Sequence, residues 1–234
     1  QAGHRAGAGG LGLEGPARQR LGKRIDFARW AIAQSPDERY EMRVPHDAVP
    51  EWEAIQWDEA DRERMADRFA QGERLGVRVV LPIQRADQPE PTLSEFHVFL
   101  EYDDRLAQSD DQYIRAGLTI TKLEGKAGAG VRAVLVVATD EPLAQLLGDC
   151  ESPSHDNWEL RGEGYRKARM NFRNAWPTIS MLRLMVRHLA EALTSPPAAE
   201  DWDTLRQVFA IARVEPEQPS QRRDRPSHER EGDE

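Results

Sequence analysis

The sequence predicts an α+β (mixed α/β) domain with a mainly antiparallel sheet of four or more strands and helices packed on one face. Two observations support this fold class. Four short segments rich in β-branched and apolar residues are separated by polar or glycine-containing loops. One long segment, 177–193, repeats its apolar residues at helical spacing and so has a face that can cover a sheet.

Composition and charge limit the class of protein. The net charge of −9 argues against a general nucleic-acid coat, although residues 160–190 carry seven basic side chains and one acidic side chain. The single cysteine, Cys150, excludes an internal disulfide and favours a cytoplasmic location. Its thiol is either buried and inert or reactive. Because no apolar run is long enough to span a bilayer, we expect no membrane partner.

The chain is expected to have three parts. Residues 1–35 form a glycine-rich, basic amino-terminal segment and a helix, and residues 36–213 form the α+β domain. Residues 214–234 form a disordered charged tail, since they offer almost no apolar side chain to bury. The sequence begins with Gln1 and has no signal-peptide core, so we expect a processed chain or part of a longer product.

Glycines near the start precede a basic helix predicted at 16–33. Backbone N–H groups at a helix start can hold phosphate, which makes Gly9, Gly10 and Gly12 candidate phosphate ligands. The pattern is not a P-loop, because no Gly-Lys-Ser/Thr follows. The alternative is a terminus without a ligand.

The middle of the chain alternates predicted helices and strands. The segment 58–71 predicts a charged amphipathic helix. The segments 76–83 and 93–102 predict an antiparallel hairpin, because the first is apolar and the second alternates apolar with polar residues. Further predicted strands are 40–44, 113–120 with a bulge at Gly117, and 131–138, and further predicted helices are 141–147 and 201–210.

Charged residues between the later strands have two interpretations. Lys122 and Lys126 lie on a glycine-rich loop, where a lysine can reach a phosphate. The alternative is that they only keep this loop soluble. Four aspartates lack the spacing of a calcium loop and are interpreted as solvent-exposed turn residues: Asp103, Asp104, Asp110 and Asp111.

The loop 148–159 holds the candidate catalytic residues. Asp149, Glu151, His155 and Glu159 combine carboxylates with an imidazole, a combination that suits acid–base catalysis. The first three also suit a divalent metal ion. The alternative is a structural network of caps and turns, because the prolines and serines of this segment are typical of a hydrogen-bonded loop.

Basic and aromatic residues are interleaved in the segment 161–176. Arg166, Lys167, Arg169 and Arg173 can contact phosphates while neighbouring aromatic rings stack on bases, as single-strand nucleic-acid binding requires. The alternative is a basic loop that its aromatic residues anchor to the core.

A family resemblance covers about residues 95–210. It rests on YIRAGLTI, on GVRAVLVVATDEPLAQLLGDCESPSHDNWE, and on the basic link and long helix that follow. These segments resemble the carboxyl-terminal, transducer or effector half of large uncharacterised bacterial ATP-binding proteins. The amino-terminal half of such proteins is a GHKL-type ATPase domain, the class shared by gyrase B, histidine kinases and MutL.

The resemblance implies a domain that works with a protein partner or ATPase half supplying ATP and Mg²⁺. A transducer lysine of such proteins contacts the γ-phosphate, a role that falls to Lys122 or Lys126. The Asn-bearing helix and the Asp-x-Gly box of the class are absent from this sequence. The chain alone is therefore not expected to bind or hydrolyse ATP.

Three functions follow from these observations. The first is a transducer or effector domain of a cytoplasmic, GHKL-like ATP-binding assembly. The second is a metal-dependent phosphoesterase or nuclease that uses the loop from Asp149 to His155. The third is a module that binds single-stranded nucleic acid through the segment 161–176.

Overall fold

A computed structural model describes residues 15–123, 127–138 and 142–194. The predicted helix 201–210 and the predicted tail 214–234 lie outside these residues. The described α-helices are α1 (Gly15–Ala33), α2 (Glu59–Ala70), α3 (Pro142–Asp149), α4 (Gly162–Asn171) and α5 (Ala175–Thr194). The described strands are β1 (Tyr40–Arg43), β2 (Leu75–Ile83), β3 (Thr92–Tyr102), β4 (Asp110–Arg115), β5 (Leu118–Thr119) and β6 (Val131–Val137).

The sheet is mixed rather than purely antiparallel. Its strand order is β1-β2-β3-β6-β4-β5. The pairs β2–β3, β3–β6 and β4–β5 are antiparallel, whereas β1–β2 and β4–β6 are parallel. The predicted mixture of helices and strands and the predicted hairpin of β2 and β3 are therefore confirmed. The parallel pairs join strands that are distant in sequence, a feature that local residue patterns do not reveal.

The predicted strand 113–120 is in fact two strands. β4 ends at Arg115 and β5 begins at Leu118. Between them the chain reverses at Ala116 and Gly117, where φ is 49° and 81°. Glycine adopts this left-handed region without a steric penalty. A tight turn thus takes the place of the predicted bulge.

The larger core lies on one face of the sheet, where α2, α3, α4 and α5 contribute buried residues. The apolar face predicted for α5 is buried along its whole length. Its members are Ile179, Leu182, Met185, Val186, Leu189 and Leu193. Full burial of such a side chain contributes about 1.5–3 kcal/mol, so α5 is a main source of stability. Among the described helices, none is long and apolar enough to cross a membrane.

Helix α1 covers the opposite face of the sheet. Its Phe27 and Ala31 form a second cluster with Phe99 and Val134. Trp30 packs edge-on against Phe99, with 5.9 Å between the ring centroids. The prediction that helices cover one face only is therefore wrong. On β3, Phe99 shares its face with the polar residues His97 and Glu101. The alternation of apolar and polar residues therefore assigned this face to solvent, although it carries a small apolar patch.

Two segments predicted as loop are helical. α3 continues to Asp149, past Gly148, where the sequence analysis ends the helix. Residues 162–171 form α4 instead of an irregular basic link. Most residues of α4 favour helices, and the buried Ala168 fixes the helix on the core.

Candidate functional site

The candidate site lies where β4 and β6 end side by side. These strands are parallel, so their carboxyl ends meet at one edge of the sheet, with Arg115 opposite Val137. The chain continues from β6 towards α3, and residues 150–161 then connect α3 to α4. In open α/β sheets, ligands bind outside the carboxyl ends of the strands.

Glu151 is the most buried of the four predicted catalytic residues, with a side chain that is 2% exposed. Its carboxylate accepts one hydrogen bond from Arg115 Nε and one from Nη2, both at 2.6 Å. His155 Nδ1 lies 2.8 Å from the same carboxylate. Burial opposes ionisation of Glu151, but the hydrogen bonds from Arg115 and His155 outweigh burial and lower its pKa. Glu151 is thus an ionised link between β4 and the loop.

The loop that carries His155 is closed by its own hydrogen bonds. Ser152 Oγ accepts from the backbone N–H of Asp156 at 3.2 Å and donates to the Asp156 carboxylate at 2.9 Å. Trp158 is buried and packs edge-on against Tyr113 of β4. These contacts are those of a structural network of caps and turns, the second interpretation of this segment.

Asp149 is directed towards α4 instead. Its carboxylate forms an ion pair with Lys167 Nζ at 2.8 Å and accepts a hydrogen bond from Asn171 Nδ2 at 2.7 Å. The backbones of α3 and α4 are also close, since a Cβ atom on Gly164 would lie 3.3 Å from the backbone oxygen of Asp149, the last residue of α3. Asp149 and Glu151 are two positions apart, yet they hold different elements together.

Of the predicted catalytic residues, the structure brings together Glu151 and His155, whereas Asp149 makes its contacts with α4. Glu159 lies near the start of α4, where its Oε2 would be 3.2 Å from a Cβ atom on Gly162. Within the part of the chain that the structure describes, no group of three or more His, Cys, Asp or Glu side chains is placed to hold a metal ion. The predicted ligand set of Asp149, Glu151 and His155 is not assembled as such a group.

One of the predicted phosphate ligands is close to this loop. Lys122 Nζ lies 3.0 Å from Asp156 Oδ2, and the lysine side chain is 63% exposed. Hydrogen bonds from Lys122 and Ser152 lower the pKa of Asp156. The other predicted phosphate ligands lie outside the described residues: Gly9, Gly10, Gly12 and Lys126.

The predicted nucleic-acid residues lie on or next to α4 and are all exposed. Lys167 is paired with Asp149, as described above. In the described ranges, Arg166, Arg169 and Arg173 have no ion pair and no side-chain hydrogen bond. The aromatic residues of the segment differ, because Phe172 is buried whereas Trp176 is 53% exposed. The geometry keeps the cations accessible and leaves one large aromatic ring of the segment exposed.

A buried charge cluster on the α1 side of the sheet was missed by the sequence analysis. Arg132 is 2% exposed and donates hydrogen bonds to Glu101 and to Asp110, the latter at 3.1 Å. Asp103 and Asp111 are buried as well. The prediction that these two aspartates are solvent-exposed turn residues is therefore wrong.

Strand register explains why these charges meet. Glu101 of β3 and Asp110 of β4 both stand opposite Arg132 of β6. Lys23 of α1 joins the cluster, with its Nζ 2.9 Å from Asp103 Oδ2. The one available signal in the sequence is Arg132 itself, a single charge in the otherwise apolar run VRAVLVV.

Comparison with known proteins finds no relative that has this site. The site consists of ion pairs that join β4, the loop, α3 and α4, and exposed arginines lie on α4 and directly after its end. The chain matches no family model, no curated protein and no solved structure.

Proposed function

We propose that this chain is the transducer or effector domain of a larger ATP-dependent protein or assembly, and that it works by contact with a partner. The observation that supports this function is the pairing of the loop's ionisable groups with neighbouring elements. Glu151 is held by Arg115 and His155, and Asp149 is held by Lys167 and Asn171. Such pairs stiffen the connection between the sheet and α4, as a domain that transmits force requires.

The same pairs argue against chemistry at this loop. A general base must reach a substrate proton, and a metal ligand must offer a free lone pair. The carboxylate of Glu151 is almost fully buried and already receives three contacts. We therefore favour a transducer over a metal-dependent phosphoesterase or nuclease.

Lys122 supports the part of the proposal that concerns ATP. Its partner Asp156 is only partly buried, and an ion pair at the surface is weak because water competes for both charges. A γ-phosphate carries more charge than one carboxylate, so an ATPase domain that presents ATP here would draw the lysine away from Asp156. ATP and Mg²⁺ then belong to the partner or to the ATPase half of the assembly.

Calorimetric titration of the chain with Mg²⁺, Mn²⁺ and MgATP tests the absence of chemistry. We compare the wild type with an Asp149→Ala, His155→Ala double variant. The expected result is no binding heat and no ATP turnover for either protein. Metal binding that disappears in a folded double variant would instead support the phosphoesterase or nuclease.

ATP turnover tests the transducer role. It is measured on the complete gene product that contains this sequence, together with any co-purifying subunit. We expect ATP hydrolysis that falls at least tenfold with Lys122→Ala, that Lys122→Arg partly restores, and that Asp156→Asn leaves largely intact. The fall corresponds to loss of about 1.4 kcal/mol of transition-state stabilisation. No ATP hydrolysis by the complete product, or turnover unchanged by Lys122→Ala, would overturn this role.

Single-strand nucleic-acid binding is a second candidate function, because one specific observation favours it. Arg166, Arg169 and Arg173 have no ion pair within the described residues, although the whole chain carries a net charge of −9. In contrast, exposed arginines elsewhere, such as Arg43 and Arg64, are paired with carboxylates. Exposed arginines without a carboxylate partner are free to contact phosphates.

Fluorescence anisotropy with a labelled oligothymidylate tests this second function. Replacing Arg166, Arg169 and Arg173 with Gln should reduce the slope of log affinity against log salt concentration by about 2, since each phosphate contact contributes about 0.7. The matched control replaces three paired arginines with Gln and should keep the slope: Arg43, Arg64 and Arg187. Equal loss in both triple variants would show that total charge, and not these three arginines, determines binding.

A further inference from the structure

We propose that a small cup beside α5 binds the cationic side chain of a partner protein, a lysine or an arginine. The cup lies between the short 3-10 helix Trp52–Ala54 and the part of α5 from Trp176 to His188, and none of its lining residues belongs to the loop or to α4. Its volume is about 170 Å³. Sites for drug-sized ligands and cofactors measure about 300–1,000 Å³, so this cup has room for one side chain.

Aromatic rings form the walls of the cup. The rings of Trp52 and His188 lie 5.3 Å apart, and Trp57 packs edge-on against Trp52 at 6.1 Å, which fixes the Trp52 ring. Trp176 closes another side and is 53% exposed. Indole faces attract cations through the ring quadrupole, and cages of aromatic rings bind ammonium groups.

His188, one of the residues that line the cup, has a polar ring atom for which the described residues provide no partner. Among the described residues, His188 Nδ1 is buried and has no hydrogen-bond partner. Most buried polar atoms in proteins are paired, so an unpaired one next to a cavity indicates a missing donor or acceptor. A neutral imidazole nitrogen can accept a hydrogen bond from an ammonium or guanidinium N–H.

Two carboxylates at the rim give the cup a negative charge. Glu51 and Glu53 line the cup, are exposed, and have no ion pair or side-chain hydrogen bond among the described residues. Aromatic walls, an orphaned acceptor and two free carboxylates together favour a cation with an apolar stem. Lysine and arginine side chains have that chemistry. The same carboxylates repel phosphate, so this surface does not suit nucleic acid.

Titration followed by NMR of the tryptophan indole N–H groups tests the proposal, because it reports on Trp52 and Trp176 separately. The probes are the peptides Gly-Ser-Lys-Ser-Gly and Gly-Ser-Arg-Ser-Gly, and a control peptide with Nε-acetyl-lysine. We expect a cationic peptide to shift both indole signals with a Kd of about 1 mM, and the neutral peptide to bind at least tenfold more weakly. The arginine and lysine arms identify which cation fits better.

Matched variants separate the cup from general charge effects. Glu51→Gln, Glu53→Gln should weaken the cationic peptide about tenfold, whereas Glu59→Gln, Glu63→Gln on the surface of α2 should not change its affinity. No shift at Trp52 and Trp176, equal binding of the neutral peptide, or equal loss in both double variants would each overturn the proposal. The peptide titrations contain no nucleotide, so a negative result in them does not bear on the proposed ATP-dependent role.

Discussion

Glu151 contacts three parts of the chain, two through its carboxylate and one through its backbone. It binds Arg115 at the end of β4 and His155 in the following loop, while its own backbone lies against α4 at Gly164. The side chains of Glu151 and Arg115 are only 2% and 14% exposed. Water therefore cannot replace either partner if the other is removed.

We expect Glu151→Gln to lower the free energy of unfolding by about 3 kcal/mol, because it leaves the Arg115 guanidinium buried without its counter-charge. Urea unfolding followed by circular dichroism measures the loss. Glu163→Gln is the matched control, since Glu163 is exposed and has no ion pair among the described residues. Its effect should stay within about 0.5 kcal/mol. Similar losses for the two variants would contradict the structural role of Glu151.

The thiol of Cys150 should be unreactive in the folded protein. It is fully buried between α3 and the loop, and burial raises its pKa to about 12. We expect Ellman's reagent to label Cys150 at neutral pH only in urea concentrations that unfold the chain. Rapid labelling in native buffer would show that the loop opens, and would support the interpretation of Cys150 as a reactive thiol.

Two helical glycines show how the surroundings of a helix can reverse the usual preference for alanine over glycine. Gly22 lies inside α1, where an added Cβ atom would meet nothing within 4 Å beyond its own helix, whereas Gly164 lies inside α4 against the backbone of residues 149–151. Alanine stabilises a free helix position by about 1 kcal/mol relative to glycine. At Gly164 the added methyl group would instead push α4 away from the end of α3.

We therefore expect opposite signs for two identical substitutions. Gly22→Ala should raise the free energy of unfolding by about 0.5–1 kcal/mol, and Gly164→Ala should lower it by about 1–3 kcal/mol, because overpacking separates α3 from α4. Thermal unfolding of the two variants beside the wild type measures both. A stabilising Gly164→Ala would mean that α4 does not pack closely on α3.

At the scale of the whole molecule, buried ion pairs make folding sensitive to acid. Burial opposes ionisation of Asp103, but hydrogen bonds from Arg105 and Lys23 outweigh it and hold its pKa well below the usual range. The pKa of Glu151 is lowered in the same way by Arg115 and His155. Both groups bind protons more weakly in the folded state, so their stabilisation is present above the usual carboxyl pKa of about 4 and is lost below it.

We expect the free energy of unfolding to fall steeply as the pH drops from about 5 to about 2. The Asp103→Asn, Glu151→Gln double variant should lose stability at neutral pH and show a shallower fall, because the linked carboxylates are gone. Urea titrations at several pH values measure both slopes. If Glu59→Gln, Glu63→Gln flattens the curve as much, the acid sensitivity comes from surface charge in general.

Local patterns in the sequence determined most of the secondary structure. Hydrophobic periodicity placed β2, β3, β6, α2 and α5 to within a few residues, and it identified the buried face of α5, because periodicity depends only on neighbours along the chain. It also located the segment around Glu151 where a buried strand leads into a loop of titratable groups. What those groups do was left open, since a catalytic set and a cap-and-turn network use the same residue types.

Only the tertiary structure decided which of these groups meet. The register of β3, β4 and β6 places Arg132 against Glu101 and Asp110, and the packing of α4 on α3 turns Asp149 away from Glu151. Parallel pairing, the second covered face of the sheet and the cup beside α5 likewise join residues that are far apart in sequence. Such contacts depend on how strands align and helices pack, and no local pattern in a single sequence encodes that alignment.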